Sequence, residues 1–158
     1  IYGCLVGSEM CIRDSILITA IIIIGLYFLM MPDNNNTQNR IDMVNAQTSP
    51  AVLSLYQNNC ASCHGKNLQG QVGWQNQLDD DGHRLAPPLN GTAHTWHHSP
   101  EYLYRVIKYG FTSFDPNYEG KMLGNSTLSD EEVWQLVSYM KEVWPSEIQE
   151  VYENRFGL

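Results

Sequence analysis

The chain is short of positive charge. Lys and Arg number 9 against 17 Asp and Glu, a formal charge of −8. Binding of nucleic acid needs a basic stripe, so it is excluded as a partner class. Also lacking are an internal repeat, a glycine-rich phosphate loop, and any nucleophile set or acid–base pair of the kind catalysis requires. No small-molecule substrate is therefore expected. Cysteine is scarce, with 4 in 158 residues, and two of these are set aside below. The length suits one domain plus extensions.

The string from Cys4 to Ser15 matches a one-frame translation of a transposase adapter used in sequencing libraries, so residues 1–15 are excluded from fold reasoning. Cys4 and Cys11 then carry no disulfide or metal argument, and the natural N-terminus is expected to be missing. Ile16 to Met31 follows as an uncharged apolar run. Sixteen helical residues span about 24 Å, slightly short of a bilayer core. A signal peptide would want small residues just after the run. Pro32, Asp33 and three asparagines stand there instead, so residues 16–31 read as an uncleaved transmembrane anchor. A buried soluble helix would be amphipathic, which this run is not. Residues 32–48 are polar and Asn-rich, the composition of a flexible linker, and 49–158 read as the folded domain.

Within that domain the segment Cys60-Ala61-Ser62-Cys63-His64 decides the chemistry. It spells C-x-x-C-H, the attachment signature of a c-type haem. Cysteines three apart on one helical turn face one porphyrin edge. Each S–H adds across a vinyl group to give a thioether. His64 then lies beneath the iron as proximal ligand. A chance match has odds on the order of one in a thousand. A Cys₂His₂ zinc site from Cys60, Cys63, His94 and His97 is the alternative. It leaves His64 without a role.

Local signals place the surrounding elements. Ser49-Pro50 is an N-cap followed by proline at the first helical position, and the helix carries Val52, Leu53 and Tyr56. Lys66 to Leu85 is loop, with Asp79-Asp80-Asp81-Gly82 a turn whose acids are expected to be solvated. Ser99-Pro100 repeats the start signal for a helix bearing Leu103, Val106 and Ile107, ended by Gly110. Residues 111–127 form a long loop containing Met122. Ser129 to Glu132 is a capping box. The helix it opens presents Val133, Leu136, Val137 and Met140, and Pro145 closes it. A further short helix is expected over Ile148 to Phe156.

The ordered landmarks CASCH at 60–64, APPL at 86–89, the Leu103 to Gly110 helix, Met122 and LSDEEVWQLVSYMKEVWP resemble a class I mono-haem cytochrome c. GKNLQGQ, the HTWHH run and LSDEE are similar to a bacterial, membrane-anchored subgroup described only as cytochrome c family proteins. The resemblance implies an all-α fold of about three to five helices around one covalently bound haem. It also implies crossed first and last helices, where Tyr56 meets Tyr139 or Trp134. It assigns Met122 as distal ligand, although Leu123 stands where the family commonly has proline, with a histidine as rival. It assigns the Pro87 carbonyl as acceptor of the His64 Nδ1 hydrogen bond. Leu89 and Leu103 become haem contacts, and Trp96 the neighbour of a propionate.

The function expected is one-electron transfer between membrane-associated or periplasmic redox partners, with the haem domain in the bacterial periplasm. One alternative is a haem subunit of a dehydrogenase, or a gas-binding or sensing haem protein, which needs an open sixth position. Another is a copper-handling module built on His94, His97 and His98.

Overall fold

The structure is a computed structural model that describes residues 18, 20–26, 44–45 and 47–157. The chain divides into two units, Ile1–Asn34 and Asn35–Leu158. In the first, residues 18 and 20–26 are helical and exposed. Among the described residues no helix is long and apolar enough to cross a membrane. The adapter reading of 1–15, and most of the anchor and linker readings, fall outside the described residues.

The second unit is helical, and no extended strand occurs among its described residues; Leu78 and Arg84 form an isolated antiparallel bridge. Helix α1 (Pro50–Asn59) starts at Ser49, whose hydroxyl accepts the Ala51 N–H at 3.3 Å. It breaks at Cys60, and the single turn α2 (Ala61–His64) follows, ended by Gly65 at φ +81°. Helix α3 (Pro100–Tyr109) has the Ser99 cap and stops at Gly110, φ +71°. Helix α4 (Asp130–Val143) opens with the capping box: Ser129 N–H donates to Glu132 at 2.7 Å, and Glu132 N–H donates back to the Ser129 hydroxyl at 3.2 Å. Helix α5 (Ser146–Phe156) begins two residues before the expected Ile148.

Helix α4 is the spine. Val133, Leu136, Val137, Tyr139, Met140 and Val143 are all buried, and each apolar side chain so placed contributes on the order of 1.5–3 kcal/mol. Helix α1 crosses it with the Tyr56 and Tyr139 rings edge-on at 5.5 Å. Trp134, the other candidate for that contact, packs on Tyr104 of α3 at 4.9 Å. Helix α5 folds back through Tyr152, which is buried against Trp144 at 4.9 Å. The folded unit also reaches into the stretch read as linker. Val44 and Asn45 are helical, Val44 packs on the core, and Tyr139 donates its hydroxyl to Asn45 at 2.7 Å. A polar composition hid this short amphipathic start.

Candidate haem-binding site

The C-x-x-C-H segment sits where α1 hands over to α2. Cys60 N–H still donates to Tyr56 at 2.8 Å, while the Cys60 carbonyl accepts from His64 N–H at 2.9 Å. One residue thus closes one helix and opens the next. Cys63 is exposed and Cys60 half-buried. Burial, then the neighbouring Cys63, pushes the Cys60 thiol up to about 11. Tyr56 steadies the turn from the core, donating its hydroxyl to the Gly65 carbonyl at 2.8 Å.

His64 Nδ1 lies 2.8 Å from the Pro87 carbonyl oxygen. A carbonyl only accepts, so Nδ1 carries the proton and Nε2 presents its lone pair. Burial lowers the His64 pKa against the opposing pull of that carbonyl, which keeps the ring neutral, the form that ligates metal. The chain brings Pro87 here by pairing loops. Gly70 N–H donates to the His64 carbonyl at 2.8 Å, Gln71 N–H to Ala86 at 2.9 Å and Leu89 N–H to Leu68 at 2.8 Å. Gly70 must be glycine: at φ +70°, a Cβ there would lie 2.5 Å from Pro88 N and 2.6 Å from the Pro87 carbonyl carbon.

Met122 is half-buried in its loop. Its N–H donates to the Tyr118 hydroxyl at 3.2 Å and its carbonyl accepts from Phe111 N–H at 3.1 Å. The loop lies backbone to backbone on the end of α3. A Cβ at Gly110 would come within 2.3 Å of the Leu123 carbonyl carbon, and one at Gly124 within 2.2 Å of Gly110 N. Asn125 donates its side-chain amide to Asn59, the residue before Cys60, at 2.9 Å. The loop is thereby tied to the helix that delivers the cysteines.

The remaining expected contacts are placed as follows. Leu89 is half-buried against the core, and its carbonyl accepts the Trp144 indole N–H at 2.8 Å. Leu103 is a buried core residue of α3. Trp96 is half-buried, edge-on to His97 at 3.9 Å, with the Arg155 guanidinium 5.8 Å from its ring. The histidine run packs among aromatic partners, with the His94 and His98 rings edge-on to each other at 5.6 Å. His94 stacks towards Trp74 at 6.2 Å, and His98 lies parallel to Tyr102 at 4.2 Å. Among the described residues no group of three His, Cys, Asp or Glu could hold a metal ion, so neither the copper cluster nor the Cys₂His₂ zinc set is assembled.

The sequence model of the family described as cytochrome c oxidase, cbb3-type, subunit III matches residues 50–140, more than half of the chain. The chain belongs to this family of class I c-type cytochromes. Among curated proteins and solved structures, none matches it. Membership makes the cytochrome an electron-transfer haem protein and implies a c-type haem.

The residues present fit that group. The donor set is two thiols on one turn and an imidazole with its Nε2 free. Between Gly65 and Thr127 the buried apolar side chains are Leu68, Pro88 and Leu103, whereas nine lie between Leu128 and Tyr152. A stretch this long with so little core of its own suits an apolar prosthetic group. When bound, haem supplies an iron that takes up or gives up one electron. Cys60, Cys63 and His64 are the residues that would hold it. The chain's own part is to fix the imidazole's tautomer through Pro87 and to hold the Met122 loop beside α3.

Sequence reasoning missed several supports of the site. Gly70, Tyr118, the Asn59–Asn125 bond and the pairing of Lys121 with the 79–83 turn carry no local signature.

Proposed function

We propose that the cytochrome is a one-electron carrier with one haem, held by thioether bonds at Cys60 and Cys63 and ligated axially by His64 and Met122. The observation that supports this best is the 2.8 Å contact between His64 Nδ1 and Pro87 O, because it leaves the imidazole oriented and its second nitrogen available. Two strong-field ligands leave no open position for a substrate, so the iron changes only its redox state. The test is direct. Haem in the purified protein should survive acid–acetone extraction, and Met122→Ala should convert a low-spin ferric spectrum to high spin. Haem that extracts freely, or a spectrum unmoved by Met122→Ala, defeats the assignment.

The same reading puts the haem domain on the periplasmic face of a bacterial inner membrane, tethered by residues 16–31. Haem of this type is attached outside the cytoplasm to reduced cysteines. Protease added to spheroplasts should release a soluble haem fragment. Partners are then membrane or periplasmic redox proteins. The family description names an oxidase subunit, which favours a second reading as the resident redox subunit of a terminal oxidase. Co-purification of the haem domain with an oxidase in mild detergent separates the two.

A further inference from the structure

Lys121, the residue before Met122, bridges two carboxylates from a distant loop. Its ammonium lies 2.6 Å from Asp79 Oδ2 and 2.8 Å from Asp81 Oδ2. The receiving turn is already ordered. Asp79 Oδ1 accepts the N–H groups of Asp81 at 3.0 Å and His83 at 2.9 Å. Asp79 N–H donates to His83 O at 2.9 Å, and the Leu78–Arg84 bridge closes the turn. One oxygen of Asp79 therefore fixes its own backbone and the other faces Lys121. Asp79 and Asp81 form a socket for Lys121, while Asp80 and Asp81 remain exposed to solvent as their sequence suggests.

We propose that the Asp79–Lys121–Asp81 clamp is a positioning device for Met122, holding the loop that carries it and so setting how readily Met122 yields its place to another ligand. This rests on Met122 being the sixth ligand. The contacts to Phe111, Tyr118 and Gly110 tie the loop to its own neighbourhood in sequence. The clamp and the Asn59–Asn125 bond tie its two ends to the half of the chain that carries Cys60, Cys63 and His64. A single exposed ion pair contributes little. Here one ammonium serves two carboxylates, and the side chain of Asp79 is 21 % exposed. The effect acts on local opening of one loop, an equilibrium of low free energy that a modest contact can shift.

The test is titration of the haem-loaded ferric protein with imidazole, following the charge-transfer band that arises only from thioether-ligated ferric iron. Lys121→Gln and the double variant Asp79→Asn/Asp81→Asn should each bind imidazole roughly three- to tenfold more tightly than wild type. Asparagine at 79 keeps the oxygen that holds the turn. Lys121→Arg should return the affinity close to wild type, and high salt should move wild type towards Lys121→Gln. The thermal midpoint should change little, which separates positioning from general loss of structure. Equal imidazole affinity in wild type and Lys121→Gln, with the thioether band present in both, overturns the clamp alone. Absence of that band from wild type, with Met122→Ala unchanged, overturns the ligand reading and the clamp together.

Discussion

Asn125 donates its side-chain amide to Asn59 across 2.9 Å, joining the end of the Met122 loop to the residue that precedes Cys60. Asn125 does more than this. Its Oδ1 also accepts the N–H and hydroxyl of Thr127, at 3.1 and 2.6 Å, and its N–H donates to Ile107 at 2.8 Å. Asn59→Ala removes two neutral hydrogen bonds, the one from Asn125 and the one its own amide donates to the Leu55 carbonyl at 2.8 Å, and should cost about 1–2 kcal/mol. Asn125→Ala also dissolves the turn before α4 and should cost more. Urea unfolding of the haem-loaded protein checks the order; Asn59→Ala as the more harmful variant would refute it.

Gly70→Ala tests the route by which Pro87 reaches His64. The new Cβ meets the Pro87–Pro88 backbone at φ +70°, so the variant should lose more than about 1 kcal/mol. Displacing the Pro87 carbonyl weakens the imidazole as a donor, and the midpoint potential should rise. Gly157→Ala is the control: its φ is +69° and nothing lies within 4 Å of an added Cβ. It should carry the strain but leave the potential unmoved. Potentiometry of the two variants decides, and equal potentials would count against the Pro87 route.

The start of α4 sets a dependence on pH. Hydrogen bonds from the Tyr104 hydroxyl and then Lys108 lower the Asp130 pKa, and the Ser129 backbone and hydroxyl lower that of Glu132. A folded pKa below the unfolded one means stability present above the unfolded value and lost as pH falls through the folded one. The domain should therefore weaken on acidification below about pH 4.5. Asp130→Asn and Glu132→Gln should each lower the urea midpoint near neutrality and narrow its gap to the midpoint at about pH 3. An unchanged gap would contradict the assignment.

Electron exchange with membrane partners should depend weakly on ionic strength. From Ala46 onward there are 7 Lys/Arg against 13 Asp/Glu, which supplies no basic docking ring. Leu123, beside Met122, is 63 % exposed, and an apolar contact there is indifferent to screening. The anchor proposed for residues 16–31 would replace long-range steering by raising the local concentration of carrier. Stopped-flow oxidation by host membranes across a salt series measures this. A steep fall with salt rejects it, and turnover of a substrate by the isolated protein rejects the carrier assignment.

What could be read in advance was local. Ser49-Pro50, Ser99-Pro100 and the Ser129–Glu132 box announce their helices because a cap is satisfied within three residues. The apolar stripe of α4 announced its buried face, and C-x-x-C-H its own chemistry. Pro87 was reached through family resemblance, because a carbonyl 23 positions from its histidine has no local trace. Lys121 and Asp81, 40 positions apart, had none either. Loop–loop pairing lacks a period, and the acids looked like solvated turn residues. Asn45 was passed over because its partner, the Tyr139 hydroxyl, is 94 residues away.

Tyr56 belongs to two accounts at once: its ring makes the helix crossing with Tyr139, and its hydroxyl holds Gly65 just beyond His64. The His64 imidazole is therefore a built-in gauge of how tightly the first and last parts of the domain are seated. A distant change that loosens the crossing should be legible as a shift in the ring resonances of His64 before any helix is lost.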